Sequence, residues 1–409
     1  MDLINYNMRK SKITYGKNVY GIDEINAVVK TLKSTTQMGQ NVQKFENQIS
    51  KLLKKKYSLM VNSGSSALLL ALKSLNLPKN SNVITPALTF GTTISSIVHS
   101  GYKPNLIDVK IDTLCIDEKL IEKRINSKTK AMLIPNLIGL IPNWPLLRKL
   151  CNKYNLILIE DCADTLDSRY LNKPTSLFSD ITISSFYGSH IISCAGNGGI
   201  VCFKNKKLYE HAKLLRSWGR SSSLFKESEK IENRFNIKLD GIKYDKKFIF
   251  QELGYNFEPS EIGASFGLVQ LKNLKKSIKK RKILRNYHHN FFKNYEEFFI
   301  SPPLNIFQNS ALLAYPLIIR NKKIDRTELQ IYLEKNNIQT RVIFTGNILR
   351  QPCAKEFKAI RNKNYYIADQ VMENGILIGC HQGLSKNDLA FIHKTFEKFL
   401  IQKKLIKKI

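Results

Sequence analysis

The chain is poor in acidic residues and has no paired cysteines. It holds 65 Lys and Arg against 33 Asp and Glu, which gives a formal net charge of +32. Its seven cysteines are an odd number without a Cys-x-x-Cys pair, which argues against a disulfide framework and favours reduced thiols in the cytoplasm. Cys194 and Cys202 lie near each other in sequence, but two lone cysteines are more often core residues, so no metal site is predicted.

Long apolar runs are also missing. Runs such as residues 131–140 are too short to span a bilayer, and Pro135 and Pro142 interrupt this part of the sequence. The segment Met1–Tyr6 does not resemble a signal peptide. We therefore expect a soluble, cytoplasmic protein with no membrane partner.

The positive charge is spread along the chain. A basic surface attracts nucleic acid, anionic lipid or anionic metabolites. The basic runs at 54–56, 279–281 and 403–404 are short and far apart, and no RNA-binding, zinc-finger or basic-zipper signature accompanies them. Diffuse surface charge is the prediction and no nucleic-acid partner is expected; a polyanion-binding protein is the alternative that salt-sensitive binding would support.

Residues 57–205 alternate short apolar runs with amphipathic segments, a pattern typical of a mostly parallel sheet covered by helices. Strands are predicted at 57–61, 82–85, 104–109, 131–135, 156–160, 180–185 and 199–203. Helices are predicted at 67–75, 92–99, 145–152 and 207–216. The fold class is therefore α/β.

The pattern changes after Gly219. Residues 220–250 are charged and irregular, which predicts an excursion over the core, and 261–294 predicts one long helix. Strands at 312–319 and 339–344 and helices at 326–336 and 386–400 indicate a smaller α+β domain. We predict a large domain at 1–270 and a small one at 271–409.

Polar residues follow several of the predicted strands, where ligands of open α/β sheets bind. Gly64, Ser65 and Ser66 open a helix, so they either bind a phosphate or simply cap the helix. Phe90 either joins the core or stacks on a planar ring. Asp161 ends an apolar strand directly after Glu160, and two such carboxylates imply a partner.

Two further polar positions stand near the strand predicted at 180–185. Ser185 ends this strand, His190 follows five residues later, and a glycine-rich turn at 196–199 comes next. A solitary histidine is usually structural, but histidine can also act as an acid and a base near neutral pH. His190 is therefore a candidate catalytic residue because of the motifs that surround it.

In order and spacing these motifs resemble the DegT–DnrJ–StrS family of fold-type-I pyridoxal-phosphate (PLP) enzymes, which make deoxy and amino sugars on nucleotide carriers. The resemblance covers nearly the whole chain, from Gly39-x-x-Val42-x-x-Phe45-Glu46 through Gly254-Tyr255-Asn256 and Gln270-Leu271 to Gly379-Cys380-His381. It implies a large, mostly parallel mixed sheet between helices, a smaller C-terminal α+β domain, and PLP or pyridoxamine phosphate (PMP) as cofactor.

The resemblance also implies a role for each candidate residue. Gly64, Ser65 and Ser66 would bind the cofactor phosphate together with Ser185. Phe90 would stack on the ring, Asp161 would pair with the pyridine nitrogen, and Asp164 would lie near the other ring edge. Asn256 would reach the phosphate across a subunit interface, which implies a homodimer with shared active sites.

His190 is the departure from the family pattern. Transaminases of the family carry at this position the lysine that holds the cofactor as a Schiff base, and imidazole cannot form that bond. Family members with histidine here are 3-dehydratases, which remove the C3 hydroxyl of a 4-keto-6-deoxy nucleotide sugar for surface polysaccharides such as O-antigen. Ser222 and Leu224 stand where the iron–sulfur dehydratases have a Cys-x-Cys pair, so no cluster is expected.

The sequence thus predicts a dehydratase in which His190 moves protons on non-covalently bound PMP, with glutamate as the amino donor that regenerates it. Arg220, Arg234, Arg341 and Arg350 are candidates for the substrate's diphosphate. A sugar aminotransferase in which His190 only tunes the site remains an alternative. So does a non-catalytic paralogue that keeps the fold.

Overall fold

The computed structural model describes residues 11–225, 230–235, 237–304, 308–362 and 364–407. The predicted N-terminal segment Met1–Tyr6 and parts of the predicted excursion lie outside these residues. The helices are α1 Ile22–Leu32, α2 Gln40–Leu52, α3 Gly64–Lys73, α4 Gly91–His99, α5 Trp144–Lys153, α6 Lys206–Arg216, α7 Ile231–Arg234, α8 Glu261–Lys272, α9 Leu274–Lys293, α10 Arg326–Lys335, α11 Tyr366–Asn374 and α12 Lys386–Gln402. The strands are β1 Tyr57–Val61, β2 Asn82–Pro86, β3 Lys103–Ile107, β4 Thr129–Pro135, β5 Ile157–Asp161, β6 Arg169–Tyr170, β7 Lys173–Pro174, β8 Ile181–Ser185, β9 Gly199–Phe203, β10 Ile237–Leu239, β11 Ile242–Tyr244, β12 Phe299–Ile300, β13 Gln308–Asn309, β14 Tyr315–Ile319 and β15 Gly375–Ile378.

A seven-stranded sheet in the order β1-β9-β8-β5-β4-β2-β3 carries the first half of the chain. Its strands are almost entirely buried because helices cover both faces, which explains their apolar sequences. Only β9 runs antiparallel to its two neighbours. The predicted α/β fold with a mostly parallel sheet is confirmed.

The direction of β9 shapes one edge of this sheet. Gly199, the first residue of β9, pairs with Val61 at the end of β1 and with Ser185 at the end of β8. The carboxyl ends of β1 and β8 therefore flank the start of β9. The segments that follow β1 and β8 leave the sheet side by side.

The C-terminal part contains a three-stranded sheet in the order β12-β14-β15, with α9 and α12 packed together. Its apolar core also includes Ile13, Leu88 and Leu137 from the first part of the chain. The core is thus continuous across residue 270, and the domain division at that position stays a prediction. Among the described helices, none has the length and the apolar character that crossing a bilayer requires.

Two predicted elements of the C-terminal part are wrong. The helix predicted at 261–294 is two helices, α8 and α9, with Asn273 at the junction as the last cap residue of α8 and the first of α9; Asn is disfavoured in helix interiors. The strand predicted at 339–344 is absent from this described stretch except for a single bridge between Arg341 and Leu377. Phe344 has a φ of +46°, which ends the extended backbone there.

Candidate active site

A cavity of about 440 Å³ opens at the edge of the sheet where β1, β5 and β8 end. It brings together most of the residues predicted to form the site, since those residues follow neighbouring strand ends. The lining consists of Tyr15, Ser63, Gly64, Ser65, Leu68, Thr89, Phe90, Thr92, Thr93, Pro135, Leu137, Asp161, Ala163, Asp164, Ser185, Tyr187, Ser189, His190, Asn197, Gly198, Leu313 and Phe344.

Close backbone packing forms one end of the cavity. A Cβ atom on Gly64 would lie 2.6 Å from the Cβ of Ser185, so only glycine lets the start of α3 approach the end of β8. A Cβ atom on Gly199 would lie 2.2 Å from the carbonyl oxygen of Ser63. The N-terminus of α3 and the hydroxyls of Ser65 and Ser185 consequently meet in one place, which suits an anion.

Ser66 does not line the cavity. Its backbone N–H donates to the Ser63 hydroxyl at 3.1 Å, and its own hydroxyl donates to Asn62 Oδ1 at 2.7 Å. These bonds form the N-terminal cap of α3. The side chain of Ser66 thus stabilises the helix end that faces the cavity.

Two carboxylates lie on the wall that follows β5. Asp161 Oδ1 accepts the Ala163 N–H at 2.9 Å, and Asp164 Oδ2 accepts the Ile138 N–H at 2.7 Å. Burial raises the pKa of Asp161 to about 6 and that of Asp164 to about 7. Among the described residues no cationic side chain forms an ion pair with either carboxylate, so a cationic group in the cavity would favour their ionised form.

Glu160, directly before Asp161, is fully buried and has the partners that its position implied. Asn136 Nδ2 donates to Glu160 Oε1 at 2.9 Å, and the hydroxyl of Thr182 donates to Oε2 at 3.1 Å. Asn136 also accepts the indole N–H of Trp144 at 2.9 Å. The sequence analysis missed Asn136, although its place directly after β4 is the kind of strand-end signal used for the other residues.

His190 lies on the connection between β8 and β9. Its Nδ1 is 3.2 Å from the carbonyl oxygen of Ser185, and a carbonyl oxygen only accepts, so Nδ1 carries the proton in this hydrogen bond. Nε2 then has a free lone pair, and no described residue bonds to it. Burial, with a smaller effect from the Arg281 charge, lowers the pKa of His190 to about 4. The imidazole is therefore neutral and basic at Nε2 near neutral pH.

Phe90 forms part of the cavity wall and is 54% exposed, so it is not a core residue. Its ring packs edge-to-face against Phe344, with ring centroids 5.6 Å apart. An exposed aromatic ring in a cavity wall is suited to stacking on a planar ligand.

Several predicted residues lie outside this cavity. Asn256 is exposed and forms a bridge with Ser217. Arg220 stacks over Trp218 at 4.1 Å and lines a second cavity of about 680 Å³. Arg341 lies 4.9 Å over the ring of Tyr15, which itself lines the first cavity.

Two other arginines are held by carboxylates. Arg350 pairs with Asp369 at 2.8 Å, and Arg234 pairs with Asp245. Within the described ranges, no three His, Cys, Asp or Glu side chains are grouped as a metal site requires. All seven cysteines are free thiols.

Comparisons with known proteins identify the family and the fold of this chain. A model of the DegT/DnrJ/EryC1/StrS aminotransferase family matches residues 20–397. The lipopolysaccharide biosynthesis protein RfbH of Salmonella typhimurium is 31% identical, over 93% of this chain and 90% of its own length. The GDP-4-keto-6-deoxy-D-mannose 3-dehydratase of Escherichia coli O55:H7 is 29% identical, over 84% of this chain and 89% of its own.

The same fold occurs in solved structures. A crystallised E. coli GDP-4-keto-6-deoxy-D-mannose-3-dehydratase with bound hydrated PLP superposes with a TM-score of 0.85 and 26% identity, covering 95% of this chain and all of the other. Sugar-nucleotide transaminases are among the similar proteins too. The similarity therefore indicates an enzyme of nucleotide-sugar metabolism and leaves the choice between dehydration and amino transfer to the site itself.

Proposed function

Because the chain belongs to the DegT/DnrJ/EryC1/StrS aminotransferase family, we propose that it is a PLP/PMP-dependent 3-dehydratase of a 4-keto-6-deoxy nucleotide hexose. One observation carries the proposal. His190, whose Nε2 has no hydrogen-bond partner among the described residues, lines the cavity, whereas no lysine is among the described residues that line it. Such a cavity supports proton transfer rather than covalent attachment of the cofactor. The named relatives support a role in lipopolysaccharide or related deoxysugar synthesis.

The residues present fit the phosphate and the pyridine ring of this cofactor. The N-terminus of α3 with Ser65 and Ser185 supplies donors for the phosphate, and the approach of Gly64 to Ser185 leaves no room there for a larger side chain. Phe90 offers a ring face for stacking. The raised pKa of Asp161 reflects a buried carboxylate without a cation, the environment in which a protonated pyridine nitrogen would be stabilised.

Each residue then has a defined task. The bound cofactor supplies an amine for the C4 ketone of the sugar and a ring that accepts electrons. Asp161 keeps the ring nitrogen protonated, and Asp164 lies on the same wall. His190 would be the group that moves protons at this site, accepting and returning a proton at Nε2, while the Ser185 carbonyl fixes its tautomer through Nδ1.

We further propose that the enzyme has no iron–sulfur cluster and, as the family resemblance implies, that glutamate is its amino donor. The segment 218–225 contains no cysteine, and the hydroxyl of Ser222 donates to the carbonyl oxygen of Lys247. Cluster ligation needs thiolates. For the substrate's diphosphate, Arg220 and Arg341 are better candidates than Arg350, because Asp369 already holds the Arg350 guanidinium with bonds of 2.8 and 3.0 Å.

We also propose a homodimer. The excursion after Gly219 exposes large apolar side chains, among them Phe225, Ile231, Phe235, Ile242, Phe248, Phe250 and Leu253, the last 98% exposed. Asn256, the residue expected to reach a partner's phosphate, follows directly in sequence. A second copy covering this surface would remove the apolar area from water. Analytical ultracentrifugation tests the proposal, and a monomer at micromolar concentration would contradict it.

The experiment that separates the two chemistries is incubation with PLP, borohydride reduction and intact mass measurement, with bound cofactor quantified in parallel. Stoichiometric cofactor without a pyridoxyl adduct is the expected result. A single lysine adduct would favour the aminotransferase, and failure to bind either cofactor form would favour a non-catalytic paralogue. Turnover is then measured with GDP-4-keto-6-deoxy-D-mannose and glutamate, and afterwards with other nucleotide carriers.

A further inference from the structure

Arg281 on α9 is fully buried, although it lies in a lysine-rich part of the chain. Its guanidinium donates from Nε to Gln382 Oε1 at 2.6 Å and from Nη1 to the carbonyl oxygens of Leu312 and Leu313 at 2.8 and 2.9 Å. Nη2 donates to the carbonyl oxygen of His190 at 3.5 Å. One side chain thus bonds four separate acceptors.

These acceptors belong to two walls of the candidate active site. On one wall, Arg281 contacts His190 directly, and its partner Gln382 donates to the next carbonyl, that of Ile191, at 3.3 Å. On the other wall it holds Leu313, whose N–H donates to Ile138 at 2.8 Å. Ile138 in turn donates its N–H to Asp164. A continuous set of hydrogen bonds therefore runs from His190 through Arg281 to Asp164.

The charge of Arg281 is not neutralised by an acid. All four acceptors are neutral, and no described carboxylate forms an ion pair with it. Burial lowers its pKa to about 10, so it stays a cation at neutral pH. A buried cation without a counter-ion is costly, and it acts strongly on nearby titratable groups.

We propose that Arg281 is a positioning residue for the dehydration, one that joins the His190 connection to the Leu313 segment and exerts a positive field on the imidazole. The proposal rests on the function proposed above for His190. Unlike a purely structural arginine, Arg281 would affect both the position and the protonation of the catalytic base. It does not line the cavity and does not touch the substrate's site.

Other titratable groups also face His190. Asp161 and Asp164 lie on the β5 wall, Tyr187 comes from the same connection as His190, and Tyr15 comes from the N-terminal segment. Burial lowers the pKa of His190 most, and the Arg281 charge lowers it further. Removal of the Arg281 charge should therefore raise the pKa of His190.

The test compares Arg281→Met and Arg281→Lys with Arg285→Met. Arg285 lies one turn further along α9, is also buried, and donates to the carbonyl oxygen of Pro303 at 2.8 Å. The pKa of His190 is read from an NMR pH titration of histidine-labelled protein, with His190→Asn as the assignment control. Steady-state kcat and KM are measured on the same samples.

Arg281→Met should raise the pKa of His190 and lower kcat roughly 10- to 100-fold with little change in KM, because the base is displaced. Arg281→Lys should keep the wild-type pKa of His190, because the positive charge remains. It should lower kcat, because an ammonium group cannot donate in the planar geometry of a guanidinium. Arg285→Met should leave both readouts unchanged.

The proposal is overturned if Arg281→Met and Arg285→Met give the same His190 pKa, or if Arg281→Lys has wild-type kcat. Should Arg281→Met not fold, the kcat of Arg281→Lys decides alone. The NMR measurement needs no substrate, so a failure of the proposed reaction remains distinguishable from a failure of this proposal.

Discussion

Two histidine environments in this protein differ in hydrogen bonding and in exposure: His288 and His393 are buried, whereas His190 is partly exposed at the cavity. In the C-terminal core, His288 Nε2 is 3.0 Å from the Gly379 carbonyl oxygen, and His288 Nδ1 is 3.0 Å from His393 Nε2. The carbonyl accepts, so His288 donates from Nε2 and accepts from His393. His393 also stacks on Phe291 at a centroid distance of 3.9 Å. At the sheet edge, His190 uses only Nδ1.

Burial lowers the pKa to about 4 for both His190 and His288 and to about 3 for His393. A lowered pKa therefore does not distinguish a catalytic histidine from a structural one. What distinguishes His190 is that its Nε2 has no hydrogen-bond partner among the described residues and that His190 lines the cavity of the candidate active site. The following predictions test this distinction.

His190→Asn should give the largest effect. Asparagine can still donate a hydrogen bond to the Ser185 carbonyl but cannot exchange a proton, so loss of the C3 hydroxyl should slow about 10²- to 10⁴-fold while the cofactor remains bound. Turnover and the absorbance of bound cofactor check this. His288→Asn, measured per folded molecule, should keep turnover; equal losses in the two variants would remove the distinction.

Asp161→Asn should weaken cofactor binding about 10- to 100-fold, because a charge-assisted hydrogen bond to the ring nitrogen is lost. Equilibrium dialysis with PLP gives the affinity. Asp180→Asn is the matched control, since Asp180 is paired with Arg148 at 2.9 Å outside the cavity lining. Unchanged affinity in Asp161→Asn would place the ring nitrogen elsewhere.

His393→Leu should destabilise the fold by about 1–3 kcal/mol, because it leaves Nδ1 of the fully buried His288 without a donor. Urea unfolding measures the loss, and kcat per folded molecule should be unchanged. The exposed His99→Asn should alter neither quantity. A stability equal to wild type would mean that the pair is not maintained in solution.

The smallest effect concerns acid stability. The folded-state pKa values of His288 and His393 lie below that of free histidine. Their contribution to the free energy of unfolding is therefore complete above about pH 6.5 and falls as the pH drops towards 4. The maximum slope is about 1.4 kcal/mol per pH unit for each histidine. The raised pKa values of Asp161 and Asp164 act in the opposite sense, so His393→Leu is compared with wild type at each pH. The free energy of unfolding should depend less steeply on pH in His393→Leu than in wild type. Parallel curves of this free energy against pH would contradict the prediction.

The sequence located the sheet well because its strands are apolar on both faces and each is followed by a polar turn. It failed where tertiary contacts override the local pattern. Val342, Ile343 and Phe344 have strand composition, but the chain turns there and Thr345 donates its hydroxyl to the Thr89 carbonyl at the cavity rim. Arg281 was missed because a basic helix typically indicates a solvated face, and its burial depends on segments far away in sequence.

The candidate site was predictable to a similar extent. Gly64, Asp161, Ser185 and His190 follow neighbouring strand ends, and the sheet brings them together. The hydrogen bond from the Ser66 hydroxyl to Asn62, which keeps this side chain out of the cavity lining, depends on a rotamer that the sequence does not reveal.

The antiparallel direction of β9 has a consequence for how enzymes of one fold come to catalyse different reactions. Because β9 runs antiparallel to β8, the chain from Ser185 to Gly199 leaves and re-enters the sheet at the same edge. Parallel neighbours require crossovers packed on the sheet faces, whereas this connection joins two adjacent strand ends directly. His190 therefore lies on a loop at the sheet edge, although Phe186 and Ile191 of the same loop pack into the core. A substitution at this position alters the available chemistry without the need for a new fold. An enzyme family can acquire a different reaction through positions of this kind.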